Sequence, residues 1–325
     1  MKIARALLLA GLVLGVPVLA HAQSTADATA ISEEIFGPRQ PVDEAYGAFQ
    51  RGYYLTALSL ALPRAEQDDA PAQTLIAEIY AQGLGVAQNP ARASSWYALA
   101  DKNGDTAGTF ELAMMYQNGR GVPKDRKKAA ELFKKAAEKG HPEAKYNLAL
   151  LHVEGLYAEP NLIKATALLK EAAEALLPEA QYDYGVVLME GAGTPPMPEA
   201  GAEQIHLAAQ QGYGPALVDY ATLLYLGRGV EKNIEEAVAW YDRAANIGSP
   251  VAQNRLAKLY ASGEGVELDL QTAAMWRSLA RRQGLTDPTL DKLLISISAS
   301  DLAAAEERAR FWPSKPPEAA ESLKP

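Results

Sequence analysis

Apolar positions along this chain recur with the period of an α-helix, and glycines interrupt them at regular intervals. Within residues 109–144, apolar side chains gather on one side of a predicted helix, which Gly119 and Gly121 then break. A second apolar stripe runs between charged residues over 127–139, and Gly140 follows where a helix end favours a left-handed residue. The unit is therefore predicted to be a helix, a glycine loop and a second helix.

The unit recurs every 36 residues, in six copies. The first loop glycine holds this spacing throughout, at Gly83, Gly119, Gly155, Gly191, Gly227 and Gly263. Copies three and four depart most from the pattern. Tyr157 replaces the second loop glycine, Leu176 replaces the glycine that ends the second helix, and Gln204 stands where most copies have a bulky apolar residue. We expect altered loop geometry at Tyr157.

A constant period in this range predicts a solenoid, because a lone helical hairpin cannot bury its apolar face and must stack on neighbours. A bundle of separate amphipathic helices is the alternative, but a bundle requires no constant period. We therefore predict an all-α fold, an α-solenoid of six helix pairs over residues 72–287. An abbreviated helical repeat over 43–71 should precede it, and capping helices over 288–312 should follow, with Ser300 capping the last helix.

The repeated pattern also resembles a known family. The spacing A-x-x-x-L-A-x-x-Y-x-x-G-x-G-V, followed by A-x-x-W-x-x-x-A-A-x-x-G, resembles the Sel-one-like repeat, a relative of the tetratricopeptide repeat. The resemblance covers about two thirds of the chain, from Ala72 to Gly284. It implies a right-handed superhelix of antiparallel helix pairs that serves as an adaptor for other macromolecules. It implies no shared catalytic residues.

The first 22 residues have the pattern of a cleavable secretory signal peptide. Two cations precede an apolar run over residues 6–20, and Ala20-His21-Ala22 supplies small residues around a cleavage site. A membrane anchor is the alternative, but the apolar run is shorter than the ~18 residues expected of a membrane span. We therefore expect export and a periplasmic location, with a flexible leader over 23–42 and a disordered tail over 313–325.

Charge and cysteine content narrow the classes of partner. Loss of Lys2 and Arg5 with the signal changes the formal net charge from −9 to −11, so the mature chain is acidic. This argues against nucleic acid as a partner, since affinity for a phosphate backbone needs clustered Lys and Arg. The chain has no cysteine, which excludes disulfides and a lipidated cysteine.

The sequence offers no pattern that predicts catalysis. The mature chain has three histidines, His141, His152 and His206, and none has the spacing of a metal-ligand motif. Neither a His-Glu-x-x-His helix nor a Gly-x-Ser-x-Gly nucleophile motif is present. We expect a non-enzymatic protein with no cofactor and no metal site.

Two function classes remain. The first is a periplasmic protein–protein interaction scaffold; proteins similar in repeat content and export signal include regulators of exopolysaccharide production. The second is a glycan or cell-wall binder that uses a basic run in copy two. That run comprises Lys124, Arg126, Lys127, Lys128, Lys134, Lys135 and Lys139. Protein recognition is favoured because most aromatic residues stand in the predicted core columns, whereas a glycan site needs aromatic platforms outside them.

Three register positions in the first helix of each copy vary while their neighbours stay apolar. Spaced at i, i+3 and i+7, they share one helix face, which the resemblance places on the concave side. The predicted partner-binding residues there are Glu111, Met114, Asn118, Asn147, Leu150, Glu154, Asp183, Val186, Glu190 and Asp219. Ordinary solvated surface is the alternative. We expect these residues to form an acidic groove that becomes basic at Arg255 and Lys258. Met114, Leu150 and Val186 should be exposed apolar residues within it, which we name the apolar steps. We expect the groove to bind an envelope protein.

Overall fold

The computed structural model describes residues 43–155 and 160–313. Within these residues, sixteen α-helices follow one another without a β-strand. The predicted signal peptide, the leader, the tail after Pro313 and the altered loop at Tyr157 lie outside the described residues. The predicted all-α solenoid is confirmed.

The helices form seven consecutive hairpins and a C-terminal cap. The N-terminal hairpin comprises α1 (Glu44–Gln50) and α2 (Tyr54–Ala65). The first and second helices of the six copies are α3 (Ala70–Gln82) and α4 (Pro90–Lys102), α5 (Thr106–Asn118) and α6 (Arg126–Glu138), α7 (Pro142–Glu154) and α8 (Leu162–Glu174), α9 (Pro178–Glu190) and α10 (Pro198–Gln210), α11 (Gly214–Leu226) and α12 (Ile234–Asn246), and α13 (Pro250–Ser262) and α14 (Leu270–Arg282). The cap comprises α15 (Pro288–Leu294) and α16 (Ala299–Phe311).

Local sequence sets the ends of these helices. Each first helix ends at a loop glycine in the left-handed conformation, which costs little because glycine has no β-carbon. Most second helices begin after a side chain that accepts a hydrogen bond from the first turn. These capping residues are Asn89, Asp125, Asn161, Asn233 and Asp269. The loop of copy four, which has Met197 at this position, lacks such a bond.

The second loop glycine has a different role, because it lies against the preceding copy. A β-carbon on Gly121 would lie 2.2 Å from the Pro90 carbonyl oxygen, at the start of α4. A β-carbon on Gly229 would likewise lie 2.4 Å from the carbonyl oxygen of Pro198, at the start of α10. The loop of one copy thus packs directly on the first turn of the previous second helix, and any larger residue would separate the two copies.

Copies four and six each carry one departure from the regular packing. In copy four, Gly185 faces Gly201, and a β-carbon on Gly185 would lie 2.7 Å from the Gly201 carbonyl oxygen. Helices α9 and α10 therefore approach closely. In copy six the buried Arg277 donates to both carboxylate oxygens of Asp291, at 2.6 and 2.9 Å, and so holds α15 against α14.

The predicted cap of the last helix is wrong by two residues. Helix α16 begins at Ala299, so Ser300 already lies inside its first turn. The hydroxyl of Ser298 accepts the hydrogen bond from the Asp301 backbone instead, at 3.1 Å. A capping residue must directly precede the first helical residue, and that position belongs to Ser298.

Candidate functional site

The predicted binding residues lie on one surface, which we name the first-helix face. It consists of the i, i+3 and i+7 positions of the first helices of the six copies. From copy one to copy six these are Leu75, Glu78, Gln82, Glu111, Met114, Asn118, Asn147, Leu150, Glu154, Asp183, Val186, Glu190, Asp219, Thr222, Leu226, Arg255, Lys258 and Ser262. The i+7 residues are exposed in every copy, whereas most of the others are half-buried.

The apolar steps on this face are less exposed than we expected. Met114, Leu150 and Val186 are all half-buried. Met114 packs against the core around α5 and α6, and Val186 packs against the core that extends from copy four to the C-terminal cap. The chain itself thus covers part of each side chain, and only the remaining surface is open to a partner.

Carboxylates in copies one to three lie close enough to repel one another. Burial raises the pKa of Glu111, and the neighbouring Glu78 and Glu143 raise it further, while Arg120 opposes them. Glu78 accepts a 2.6 Å hydrogen bond from the buried Tyr97, which reaches this face from α4. The N-terminal half of the face therefore holds negative charge under partial desolvation.

In copies three to five, tyrosines of one copy hold aspartates of the next. Tyr146 donates to the Asp183 carboxylate at 2.9 Å, and Tyr182 donates to Asp219 at 2.7 Å. Burial raises the pKa of Asp183, and Glu179 adds to the effect, although the Tyr146 hydroxyl lowers it. Our sequence reasoning missed these tyrosines. A signal existed, because they are 36 residues apart and each precedes its partner by 37.

Two cations lie at the C-terminal end of the face, and one of them pairs with a carboxylate of the cap. Arg255 and Lys258 are exposed on α13. Lys258 pairs with Asp287 at 2.7 Å and, with other hydrogen bonds, lowers the pKa of that carboxyl to about 2. A 140 Å³ groove between α11 and α13 adjoins a 790 Å³ groove between α13 and α15, since Lys258 and Ser262 line both.

The three histidines occupy packing positions. His141 stacks on Phe110 with ring centroids 4.6 Å apart, and burial lowers its pKa. His206 stacks on Tyr220 at 4.3 Å, and His152 is buried in α7. Across residues 43–155 and 160–313, no group of three or more acidic or histidine side chains is arranged to hold a metal ion. None of the helices described in these ranges could cross a bilayer.

Three of the seven cations in the basic run of copy two bind neighbouring copies. Lys135 pairs with Asp101 at 2.7 Å, and Lys139 donates to the Gly104 carbonyl at 2.8 Å, both in copy one. Arg126 pairs with Glu154 of copy three at 2.7 Å. These cations therefore stabilise the stack, which reduces the positive charge that an anionic glycan would meet.

Comparison with known proteins agrees with this architecture. Sel1 repeats match residues 70–105, 106–141, 142–175, 178–213, 214–249 and 250–285. A Sel1 repeat protein from Oxalobacter formigenes is 26% identical, with a TM-score of 0.66, and the match covers 75% of this chain and 97% of that one. The antigen c5321 of uropathogenic Escherichia coli, which displays an SLR fold, is also 26% identical, with a TM-score of 0.69.

The match with c5321 covers 78% of this chain but 56% of the antigen, so this chain spans just over half of that structure. No curated protein matches the sequence. Sel1 repeat proteins are generally protein–protein interaction scaffolds. Because the six matched repeats cover most of the chain, this protein belongs to the Sel1 repeat family.

Proposed function

We propose that this protein is a periplasmic, non-enzymatic scaffold that binds a segment of a partner protein along the first-helix face. One observation carries the proposal. Glu111 and Asp183 keep carboxylates half-buried beside further acids, so burial and like charge raise the pKa of both. Carboxylates with perturbed pKa values are enriched at functional sites. A cation on a partner segment would lower the like-charge repulsion between Glu111, Glu78 and Glu143.

The chemistry of the face defines the partner segment. Lys or Arg residues of the segment would lie over copies two to five, where the carboxylates are. Its apolar residues would contact the open parts of Met114, Leu150 and Val186, which lie in consecutive copies. An acidic residue would meet the exposed Arg255 at the far end, next to Lys258, which already pairs with Asp287. The charge pattern therefore favours one orientation of the segment along the solenoid.

The periplasmic location rests on the sequence of residues 1–22, with its basic start, apolar run and small residues before the cleavage site. We propose an envelope protein as the partner, and regulation of envelope or exopolysaccharide functions as the role. Intact-mass analysis of fractionated cells tests the location. A periplasmic species that begins at Gln23 is the expected result, whereas a full-length cytoplasmic species would contradict it.

Glycan binding through copy two is the weaker alternative. Lys135, Lys139 and Arg126 already bind neighbouring copies. Among the described residues, the lining of the 600 Å³ cavity beside this run includes no Trp, Tyr or Phe on which a sugar ring could stack. We therefore favour a protein partner.

Site-specific photo-crosslinking in the cell envelope tests the binding surface. A photo-reactive amino acid replaces Val186 on α9 or, as a control, the exposed Glu203 on α10 of the same copy. We expect one discrete crosslinked protein from position 186 and none from position 203. Equal crosslinking from both positions, or crosslinking only from 203, would place the partner elsewhere.

A further inference from the structure

Three packed aromatic rings fill the groove between second helices α10 and α12, which we name the outer groove. His206 stacks on Tyr220 with centroids 4.3 Å apart, and Trp240 meets both rings edge-on, at 5.5 and 5.3 Å. Arg243 covers the indole at 4.4 Å, and the indole N–H donates to Glu236 at 3.4 Å. Trp240 is only 9% exposed, so the chain closes this groove with its own side chains.

The same groove is open two copies earlier. Lys134, Leu148 and Leu168 occupy the register positions of His206, Tyr220 and Trp240, each 72 residues before its counterpart. All three line a cavity of 600 Å³ between α6 and α8. The volume lies within the range of natural ligand sites, roughly 300–1,000 Å³. A lysine and two leucines thus stand at the three positions that carry aromatic rings between α10 and α12, and the space between the helices is open.

The groove that lies between these two, from α8 to α10, has an intermediate number of aromatic rings and an intermediate cavity volume. Between α8 and α10 the corresponding residues are Lys170, Tyr184 and Gln204, and they line a smaller cavity of 330 Å³. One aromatic ring is present there instead of three, which leaves a groove of intermediate size. Across these three grooves, the cavity is smaller where more aromatic rings stand at the three positions.

The lining of the open cavity has a small excess of positive charge. It includes four lysines, Lys127, Lys134, Lys145 and Lys164, and three glutamates, Glu131, Glu138 and Glu171. Lys134 pairs with Glu138 at 3.9 Å and Lys145 with Glu171 at 2.8 Å, whereas Lys127 and Lys164 form no ion pair among the described residues. Lys164 stands in the register position of Glu236, the residue that accepts the Trp240 indole N–H. The open cavity thus has an ammonium group where the filled groove has a carboxylate. Its floor, which includes Leu148 and Leu168, is apolar.

We propose that this cavity binds an aromatic side chain flanked by carboxylates on a partner protein. In the cavity between α6 and α8, the ring would occupy the position that Trp240 occupies between α10 and α12. Burial of its aromatic area would stabilise the contact. The flanking carboxylates would pair with the lysines at the rim, and these lysines would also attract the face of the ring. The site lies between second helices α6 and α8, with part of α7 in its lining. None of its lining residues belongs to the first-helix face, so the proposal does not depend on the function proposed for that face.

Fluorine NMR of synthetic peptides tests the proposal. The probe is a capped tripeptide with 4-fluorophenylalanine between two aspartates, titrated with the mature protein. Matched peptides replace the aspartates by lysines or the aromatic residue by alanine; the alanine peptide competes unlabelled against the probe. We expect saturable broadening of the probe signal, binding at least roughly tenfold weaker for the lysine peptide, and no competition by the alanine peptide.

A variant that fills the cavity with a side chain of the protein itself tests the location of the site. Leu168→Trp introduces the residue that copies five and six carry at this position, and we expect it to abolish probe binding. Gln204→Trp makes the same change in the next groove and should leave binding intact, while thermal melting confirms that both variants fold. If Leu168→Trp fails to fold, Lys127→Glu combined with Lys134→Glu should weaken binding roughly tenfold instead. Equal binding of the lysine peptide, or undiminished binding to the folded Leu168→Trp variant, would overturn the proposal.

Discussion

The hydroxyl of Tyr182 in copy four donates a 2.7 Å hydrogen bond to the Asp219 carboxylate in copy five. Tyr146 and Asp183 repeat this relationship one copy earlier, at 2.9 Å. Both aspartates belong to the first-helix face. The carboxylates that we assign to partner binding are therefore positioned by the preceding copy, so the geometry of the face depends on the stacking of the solenoid.

Loss of one such bond should weaken the stack. Tyr182→Phe keeps the ring but removes the hydroxyl, and we expect the free energy of unfolding to fall by about 1 kcal/mol, the usual net value of a hydrogen bond or slightly more for a charged acceptor. Tyr213→Phe is the control, because its ring packs on Tyr182 at 5.5 Å while its hydroxyl has no hydrogen bond among the described residues. Urea unfolding measures both, and equal losses would contradict a specific role for the Tyr182 bond.

The second loop glycine should be far less tolerant of substitution than the glycine at the end of the second helix. Both Gly121 and Gly140 have positive φ, so alanine at either site should cost about 1 kcal/mol of backbone strain. At Gly121 the new β-carbon would also meet the Pro90 carbonyl, which should add roughly 1–3 kcal/mol. At Gly140 it would meet nothing within 4 Å. Thermal unfolding compares the two, and similar losses would show that the close approach is unimportant.

Replacement of Leu176 by glycine should raise the stability of the protein. It adopts a φ of 65° where other copies have glycine, and its side chain is 68% exposed. Leu176→Gly should relieve strain of ~1–2 kcal/mol. The greater freedom of glycine in the unfolded chain removes ~0.5–1 kcal/mol of that gain, which leaves a net stabilisation. Leu176→Ala, which keeps the β-carbon, is the control. Chemical denaturation would refute the argument if the glycine variant gained nothing over alanine.

Acid should remove the contribution of Asp287. Its pKa is lowered to about 2, chiefly by the hydrogen bond from Lys258, and the unfolded chain binds more protons between that value and 3.8. The stabilisation is therefore complete above about pH 4 and is lost as the pH falls through 2. Asp287→Asn keeps a helix-capping side chain, so it should destabilise at pH 7 and much less at pH 2. A gap between the two proteins that does not change with pH would contradict this linkage.

The 36-residue register predicted most of the fold. Loop glycines mark the ends of the first helices, and the spacing predicted the stacked helix pairs. Some departures could also be located, because Leu176 and Gln204 break their columns visibly. The structure shows that the left-handed backbone persists at Leu176 although the glycine is lost, and Asp68, another non-glycine residue at this position, adopts a φ of 62° as well.

Contacts that do not follow the 36-residue spacing could not be predicted in the same way. The bond between Arg277 and Asp291 depends on how the short helix α15 docks, and no repeat spacing specifies that docking. The half-buried state of Met114 depends on the angle between neighbouring helices. The His206, Tyr220 and Trp240 stack joins three helices, so its empty counterpart in copies two and three became visible only as a cavity.

The most direct test of the central claim is the affinity of the crosslinked partner for two triple variants. One replaces Met114, Leu150 and Val186 on the first-helix face by serine. The other replaces the exposed Ala98, Glu203 and Ala239 of the second helices. Thermal melting first confirms that both fold. We predict that the first variant binds the purified partner at least roughly tenfold more weakly than the unaltered protein, and that the second binds as tightly. Unchanged affinity of the first variant would contradict binding along the first-helix face.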